Sequence, residues 1–207
     1  MGLKLLFLSW WIPKYIIKRE VDHIEALTTD ALEALLNKYS SNNINEEKLK
    51  KGASKGTIEQ TRDAMAFNHT NLVNSLAEVL GKEKTIGLGR DAMFKVGERL
   101  GSETCQKLGV GNSLQDLIRA AKILYRILGI EFEVQLQNPN NAILIINRCA
   151  LAAHYSELTC QVLSATDEGT IRGLNQNMSM TFTERITGGQ PKCKATITLR
   201  LNGGTNH

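Results

Sequence analysis

The stretch that decides the fold is SLQDLIRAAKILYRILGIEFEVQLQNPNNAILIIN, residues 113–147. Its first half predicts a helix that begins after the N-cap Ser113 and ends at Gly129, because apolar residues recur every three to four positions. The segment from Ile130 to Leu136 alternates apolar and polar residues, which predicts a half-buried strand. The turn NPNN then leads into AILIIN, a second and more apolar strand. A helix followed by a hairpin indicates an α+β fold.

Three further helices are predicted upstream by apolar periodicity, over about residues 14–39, 57–80 and 85–108. The stretch SSNNINEEKLKKGASKG between the first two is polar and lacks periodicity, which is typical of a surface loop or linker. We therefore expect a helical N-terminal extension over residues 1–56 and an α+β domain over residues 57–207.

Glycines recur in the third predicted helix, at Gly89, Gly97 and Gly101. Each costs about 1 kcal/mol of helix stability relative to alanine, so their presence indicates close approach of another backbone or of a ligand. No strand precedes them and no GK[ST] follows, which excludes a phosphate-binding loop. Gly97 is therefore a candidate ligand-binding residue.

The stretch CALAAHYSELTCQVLSATDEG, which begins at Cys149, is predicted to be a helix over residues 149–165 that ends at DEG. On such a helix Cys149 and Cys160 lie about 16 Å apart along the axis. That distance is too long for a shared metal ion or a disulfide. His154 falls on a polar side and is expected to be solvated, whereas Cys149 is expected to pack as a small apolar residue.

The last segment is predicted to be a hairpin in which QNMSMTFTERIT pairs with KCKATITLRL across GGQP. Glu184 falls on its inward face, where an apolar residue is expected. A two-residue turn would place Glu184 opposite Cys193, and a four-residue turn would place it opposite Ala195. Glu184 then either reaches water at the sheet edge or belongs to a ligand or metal site with Cys193. The inward residues expected to line an apolar ligand pocket are Met178, Met180 and Phe182.

Composition restricts the class of protein. The 207 residues are 42% hydrophobic and 22% charged, and the net charge is +4. The basic residues are dispersed and few aromatic residues lie among them, so we expect no nucleic-acid partner. Four cysteines without a CxxC motif favour free thiols in a reducing compartment, and hence a cytoplasmic protein.

The N-terminal stretch MGLKLLFLSWWIPKYIIKRE is apolar, aromatic and basic. Its uncharged run is too short to span a bilayer, and it lacks the cleavage site of a secretory signal. Two interpretations stay open. These residues pack on the domain or on a partner, or Trp10 and Trp11 insert at a membrane surface that the protein contacts through residues 1–19.

Two segments resemble a known superfamily. GRDAMFKVGERLGSETCQKLGVGNSLQDLIRAAKILYRILGIEFEV resembles the helical half of a small-molecule-binding fold, and CQVLSATDEGTIRG…MSMTFTERITGGQPKCKATI resembles its C-terminal half. The fold is shared by 4-vinyl reductase domains, small subunits of the TRAPP vesicle-tethering complex and haem nitric-oxide-binding domains. Proteins similar to 2-amino-thiazoline-4-carboxylate hydrolase have a similar arrangement. The resemblance covers roughly residues 85–201.

The resemblance implies three alternative functions. The first is a non-enzymatic scaffold that binds a small apolar molecule or an acyl chain, as a homodimer or with a related subunit. The second is hydrolysis of a cyclic amidine at its carbon–nitrogen bonds, with Cys160 or Cys193 and Glu184 as the catalytic pair. The third is a zinc-stabilised sensor. Cys160, Glu184 and Cys193 match three of the four zinc ligands of sensory 4-vinyl reductase domains, and Thr187 stands where the fourth is expected.

Overall fold

The computed structural model describes residues 11–40 and 56–200. The helices are α1 (Lys14–Tyr39), α2 (Ile58–Leu80), α3 (Lys82–Leu108), α4 (Leu114–Leu128) and α5 (Glu157–Leu174). The strands are β1 (Ile130–Asn138), β2 (Asn141–Cys149), β3 (Met178–Glu184) and β4 (Cys193–Leu199), and short 3₁₀ turns span Ala150–Ala153 and Ile186–Gly188. The predicted α+β class is confirmed.

Helix α4 begins and ends where the sequence predicts. The Ser113 side chain accepts a hydrogen bond from the backbone N–H of Asp116, which satisfies one of the free donors of the first turn. Gly129 ends the helix with a φ of +71°, in the left-handed region that glycine adopts without strain. Arg62 of α2 donates to the backbone oxygen of Ile127 from Nε at 2.9 Å, so it fixes this helix end to the second helix.

The four strands form one antiparallel sheet in the order β1-β2-β4-β3. Its inner face is buried against the helices, because alternate residues such as Leu144 and Ile146 of β2 and Met180 of β3 point into the same core. Val21 and Ile24 of α1 join that core. Helix α1 thus packs on the domain, and the boundary at residue 56 stays a prediction.

The predicted helix over residues 149–165 is wrong at both ends. Strand β2 extends to Cys149, which pairs with Ile130, and α5 begins only after the N-cap Ser156, whose side chain accepts from the N–H of Thr159. The 3₁₀ turn Ala150–Ala153 lies between β2 and α5. Helix α5 then continues through Gly169 to residue 174, because the contact with α3 compensates for glycine's low helix propensity. Cys149 and Cys160 are therefore not on one helix.

The glycines of α3 lie against α5. A β-carbon on Gly97 would overlap the backbone oxygen of Thr166, and one on Gly101 would overlap that of Thr170. Gly169 of α5 meets the backbone oxygen of Phe94 in the same way. Close approach of another backbone is confirmed, and Gly97 faces a helix rather than the cavity described below.

The predicted register of the last hairpin is wrong. Phe182 pairs with Ala195, a bulge follows, and Glu184 pairs with Lys194. The eight residues between the strands form a longer connection than either predicted turn, and the N–H of Gln190 donates to the oxygen of Arg185 at 3.2 Å within it. Because the bulge adds a residue, Glu184 leaves the inward face, and its Oε1 accepts from Lys194 Nζ at 2.9 Å.

The first described residues include an exposed aromatic pair, Trp11 and Tyr15. Trp10 and the rest of residues 1–10 lie outside the described residues, so membrane contact through residues 1–19 stays a prediction, as does dimer formation. Among the described residues, no helix combines the length and the apolar composition that crossing a bilayer requires.

Candidate ligand cavity

A cavity of about 80 Å³ lies between α1, α2, α5 and the inner face of the sheet. An enclosed water molecule requires about 10–15 Å³ of such cavity volume, so the cavity has room for several waters or a small organic molecule. Ile24, Met65, Ile146 and Leu163 provide apolar walls. We call it the polar chamber because ten polar or ionisable residues also line it: Thr28, His69, Cys149, Tyr155, Cys160, Ser164, Thr166, Asp167, Arg185 and Cys193.

A second cavity of about 50 Å³, the apolar chamber, adjoins the first. Its walls are mainly leucine and isoleucine side chains, from residues 100, 124, 144, 171 and 174. Both cavities are lined by Ile24, Leu128, Thr166 and Asp167. Asp167 therefore lies where the two chambers meet, with apolar space on one side and polar groups on the other.

Asp167 is the carboxyl group of the polar chamber. Burial raises the pKa of Asp167 to about 7, the neighbouring charge of Glu168 adds to the rise, and a hydrogen bond from the Tyr125 hydroxyl opposes it. The residue is intermediate in burial and lines both chambers. No lysine, arginine or histidine within the described ranges forms an ion pair with it. A buried acid that titrates near neutral pH suits proton transfer or the binding of a cation.

Three cysteines from different elements converge on the polar chamber: Cys149 at the end of β2, Cys160 on α5 and Cys193 at the start of β4. Burial raises the pKa of all three thiols, that of Cys149 to about 12. The N–H of Ile186 donates to Cys193 Sγ at 3.3 Å. Because the thiolate is the nucleophile, these protonated thiols are weak nucleophiles at neutral pH.

Two of the three residues predicted to bind zinc lie in one cavity, and the third lies outside it. Cys160 and Cys193 share the polar chamber, whereas Glu184 pairs with Lys194 and does not line it. Thr187 lies beside Cys160, and its hydroxyl is buried without a well-placed hydrogen-bond partner. In the part of the chain that the structure describes, no group of three or more His, Cys, Asp and Glu side chains is arranged to hold a metal ion.

His69 is held in one tautomer. The Thr28 hydroxyl donates to the backbone oxygen of Ile24 at 2.8 Å, so it accepts from His69 Nε2 at 2.7 Å. Nδ1 then accepts from the Tyr155 hydroxyl at 2.8 Å. Burial lowers the pKa of His69 to about 4, which keeps the ring neutral. Both ring nitrogens are occupied, so His69 does not activate a thiol. His154 is exposed, as the sequence predicts.

Arg185 brings a positive charge to the polar chamber from the loop after β3. Its guanidinium donates to Ser164 Oγ at 3.1 Å and lies over the Phe182 ring at 5.4 Å. Phe182 lines the chamber, whereas Met178 and Met180 are buried in the adjoining core and do not line it.

Sequence reasoning missed Asp167 and Arg185. The DEG stretch predicts the end of a helix, and a helix that ended there would not carry Asp167. Helical spacing could have found it, since positions 160, 163, 164 and 167 share one face of a helix that continues. Arg185 depends on the bulge after Phe182, for which the alternation of the strand gives no signal.

Solved structures share this α+β fold. A trafficking protein particle complex subunit 3 from Naegleria fowleri, covalently bound to palmitic acid, aligns with a TM-score of 0.56 at 16% identity, over 69% of this chain and 97% of its own. The phenol-responsive sensory domain of the transcription activator PoxR aligns with 0.51 at 16%, over 82% and 89%. An Fe(II) unliganded H-NOX protein from K. algicida aligns with 0.51 at 12%, over 88% and 97%.

The sequence identifies the family among the proteins that share this fold. The family model of L-2-amino-thiazoline-4-carboxylic acid hydrolase matches residues 59–196, which is more than half of the chain. The chain therefore belongs to the L-2-amino-thiazoline-4-carboxylic acid hydrolase family, and the predicted superfamily is confirmed. No curated protein matches the sequence.

Proposed function

We propose that the polar chamber binds a small basic heterocycle whose cationic group meets the carboxylate of Asp167. The observation that carries this proposal is an acidic side chain in a mainly apolar cavity with no cationic partner among the described residues. A buried charge requires a partner, and an amidinium group supplies two N–H donors in the plane of a carboxylate. The apolar chamber next to Asp167 accommodates an apolar part of the ligand.

The comparisons support a small ligand of this kind. The substrate in the family's name is a 2-amino-thiazoline, whose ring contains an amidine-type carbon bonded to two nitrogens. The TRAPP and PoxR structures that share the fold were solved with palmitic acid and with phenol. An acyl chain along the apolar chamber would leave Asp167 without a cationic partner. A basic ring would contact both Asp167 and the apolar walls.

Calorimetric titration with 2-amino-thiazoline tests this proposal. Asp167 with a pKa of about 7 is mostly protonated at pH 5.5 and mostly ionised at pH 7.5. Affinity for the cation should therefore rise more than about tenfold between these pH values. Asp167→Asn should bind weakly and without this pH dependence, whereas Glu184→Gln, outside the chamber, should behave as the wild type. Equal pH profiles for the wild type and Asp167→Asn would contradict the assignment.

Family membership and the position of Asp167 favour hydrolysis of a cyclic amidine as a second function. In this reaction the oxygen of a water molecule bonds to the amidine carbon, and a ring bond to that carbon breaks. Asp167 accepts the proton of the water as general base and returns it to the atom that leaves, so that one water is consumed. A carboxyl group with a pKa near 7 suits both steps.

Turnover of 2-amino-thiazoline-4-carboxylate separates this mechanism from one with a cysteine nucleophile. Asp167→Asn should lower kcat/KM by about 10²–10⁴-fold, the usual contribution of a general base. Cys160→Ser and Cys193→Ser should keep the rate within a few-fold, because both thiols have raised pKa values. Loss of activity in a serine variant, with Asp167→Asn active, would show that a thiol is the catalytic group.

A further inference from the structure

We propose that Arg185 forms an anion subsite in the polar chamber, where it binds the carboxylate of a ligand whose basic end meets Asp167. This inference rests on the proposed binding function and adds the residue that recognises the negative group. It assigns to Arg185 the role of determining specificity for ligands that carry a negative group.

The orientation of the Arg185 guanidinium is fixed before any ligand binds. Its terminal nitrogen donates to Ser164 Oγ at 3.1 Å, and its plane is held over the ring of Phe182, 5.4 Å from the centroid. Phe182 is itself buried in the sheet. A guanidinium held on two sides loses little conformational freedom when it binds a planar carboxylate.

The charge of Arg185 is not neutralised by the surrounding side chains. No carboxylate in the described ranges lies within ion-pair distance of it, since its neighbour Glu184 binds Lys194 at 2.9 Å. Its Nε–H is buried and has no hydrogen-bond partner among the described residues. A buried donor on a charged group is costly when it is left without an acceptor. A ligand oxygen at this position would supply that acceptor.

Arg90, the other arginine near Ser164, is already satisfied. Its guanidinium donates to Glu168 Oε2 at 2.6 Å and to the backbone oxygen of Gln161 at 2.8 Å. The Ser164 hydroxyl donates to that same backbone oxygen at 3.2 Å, so it can only accept from Arg185. Arg185 is thus the guanidinium of this cluster with a donor left for a ligand.

The position of the two charges limits the size of the ligand. Ser164, which holds Arg185, and Asp167 are three residues apart on α5, and such residues are neighbours on one helix face, about 5–6 Å apart at their β-carbons. Both Arg185 and Asp167 line the same chamber. A single small ring that carries an amidine and a carboxylate therefore spans the two groups, whereas a long chain is not required.

Paired titrations of the full-length protein with 2-amino-thiazoline-4-carboxylate and with 2-amino-thiazoline test the subsite. The wild type should bind the carboxylate about 10–100-fold more tightly, the range expected for a charge-assisted hydrogen bond. Arg185→Gln should lose this preference and keep its affinity for 2-amino-thiazoline. Arg148→Gln, an exposed arginine of β2, is the matched control and should retain the preference. Arg185→Lys keeps the charge without the Nε–H and should retain part of it.

The outcomes separate the subsite from the binding function. Equal affinity of the wild type for both compounds would overturn the subsite while the proposed function stands. If Arg185→Gln loses affinity for both compounds equally, Arg185 only supports the structure. If that variant unfolds, the same comparison of affinities is made with Arg185→Lys. If the wild type binds neither compound, the proposed function fails, and the subsite fails with it.

Discussion

Two buried ionisable residues, Asp167 and His69, oppose each other in the pH dependence of stability. The pKa of Asp167 is raised to about 7, so its contribution to stability is fully present below its unfolded value and is lost as pH rises through 7. The pKa of His69 is lowered to about 4, so its contribution is present above its unfolded value and is lost as pH falls through 4. Between pH 4.5 and 6.5 the two effects offset each other.

Replacing Asp167 with asparagine should remove this compensation. The free energy of unfolding of Asp167→Asn, relative to the wild type, should fall by about 2–3 kcal/mol as pH is lowered from 6.5 to 4.5, at 1.36 kcal/mol per pKa unit. The reason is that only the wild type gains stability when a carboxyl group with a raised pKa becomes protonated. Urea unfolding at the two pH values measures the difference. Parallel stability curves would indicate that Asp167 titrates as an ordinary surface acid.

At the scale of elements, local signals predicted most of the boundaries. Ser113 and Gly129 bound α4 because capping and left-handed glycine are properties of short segments. Three predictions are wrong: the start of α5, its end at DEG and the register of Glu184. All three depend on tertiary structure. The ladder with Ile130 keeps Cys149 in a strand, and a bulge after Phe182 shifts the register. Most of the fold could therefore be predicted from local signals. Asp167 could be found only where α5 is recognised to continue past Gly169, and Arg185 depends on the bulge, for which the sequence gives no signal.

The contact between α3 and α5 predicts opposite effects for two glycines of one helix. Gly97→Ala should destabilise the protein by about 3 kcal/mol or more, because the added methyl group meets the backbone of Thr166, which cannot rotate away. Gly87→Ala is the matched control. Its β-carbon would meet nothing, and alanine should stabilise the helix by about 0.5–1 kcal/mol. Chemical denaturation measures the free energy of unfolding of both variants. Similar changes in the two variants would contradict the close contact between α3 and α5.

At the scale of the whole molecule, the cavity is closed by a helix outside the part that the family model matches. Ile24 and Thr28 of α1 line the polar chamber, while the matched residues begin at 59. Thr28 also accepts a hydrogen bond from the His69 ring, and that ring accepts one from the Tyr155 hydroxyl. Helix α1 is thus connected to Tyr155 through His69. The ligand site therefore depends on residues from both sides of the predicted domain boundary.

Removal of residues 1–56 should consequently abolish ligand binding and expose the apolar core. We expect loss of 2-amino-thiazoline binding in calorimetry, together with increased binding of a fluorescent apolar dye, because Val21 and Ile24 no longer cover the core. Removal of residues 1–10 alone leaves α1 in place and should preserve binding. A fragment 57–207 that binds as tightly as the full chain would show that α1 is dispensable.

The glycine contact also determines which positions of α5 are free to change during divergence. One face of this helix meets the backbone of α3 at Gly97 and Gly101, where any side chain would collide. The opposite face carries Cys160, Ser164 and Asp167 into the chamber. We expect lineages of this fold to exchange ligands by substitution on the chamber face alone, while the glycine face stays fixed. The fold can in this way acquire a new ligand without a change in the contact between α3 and α5.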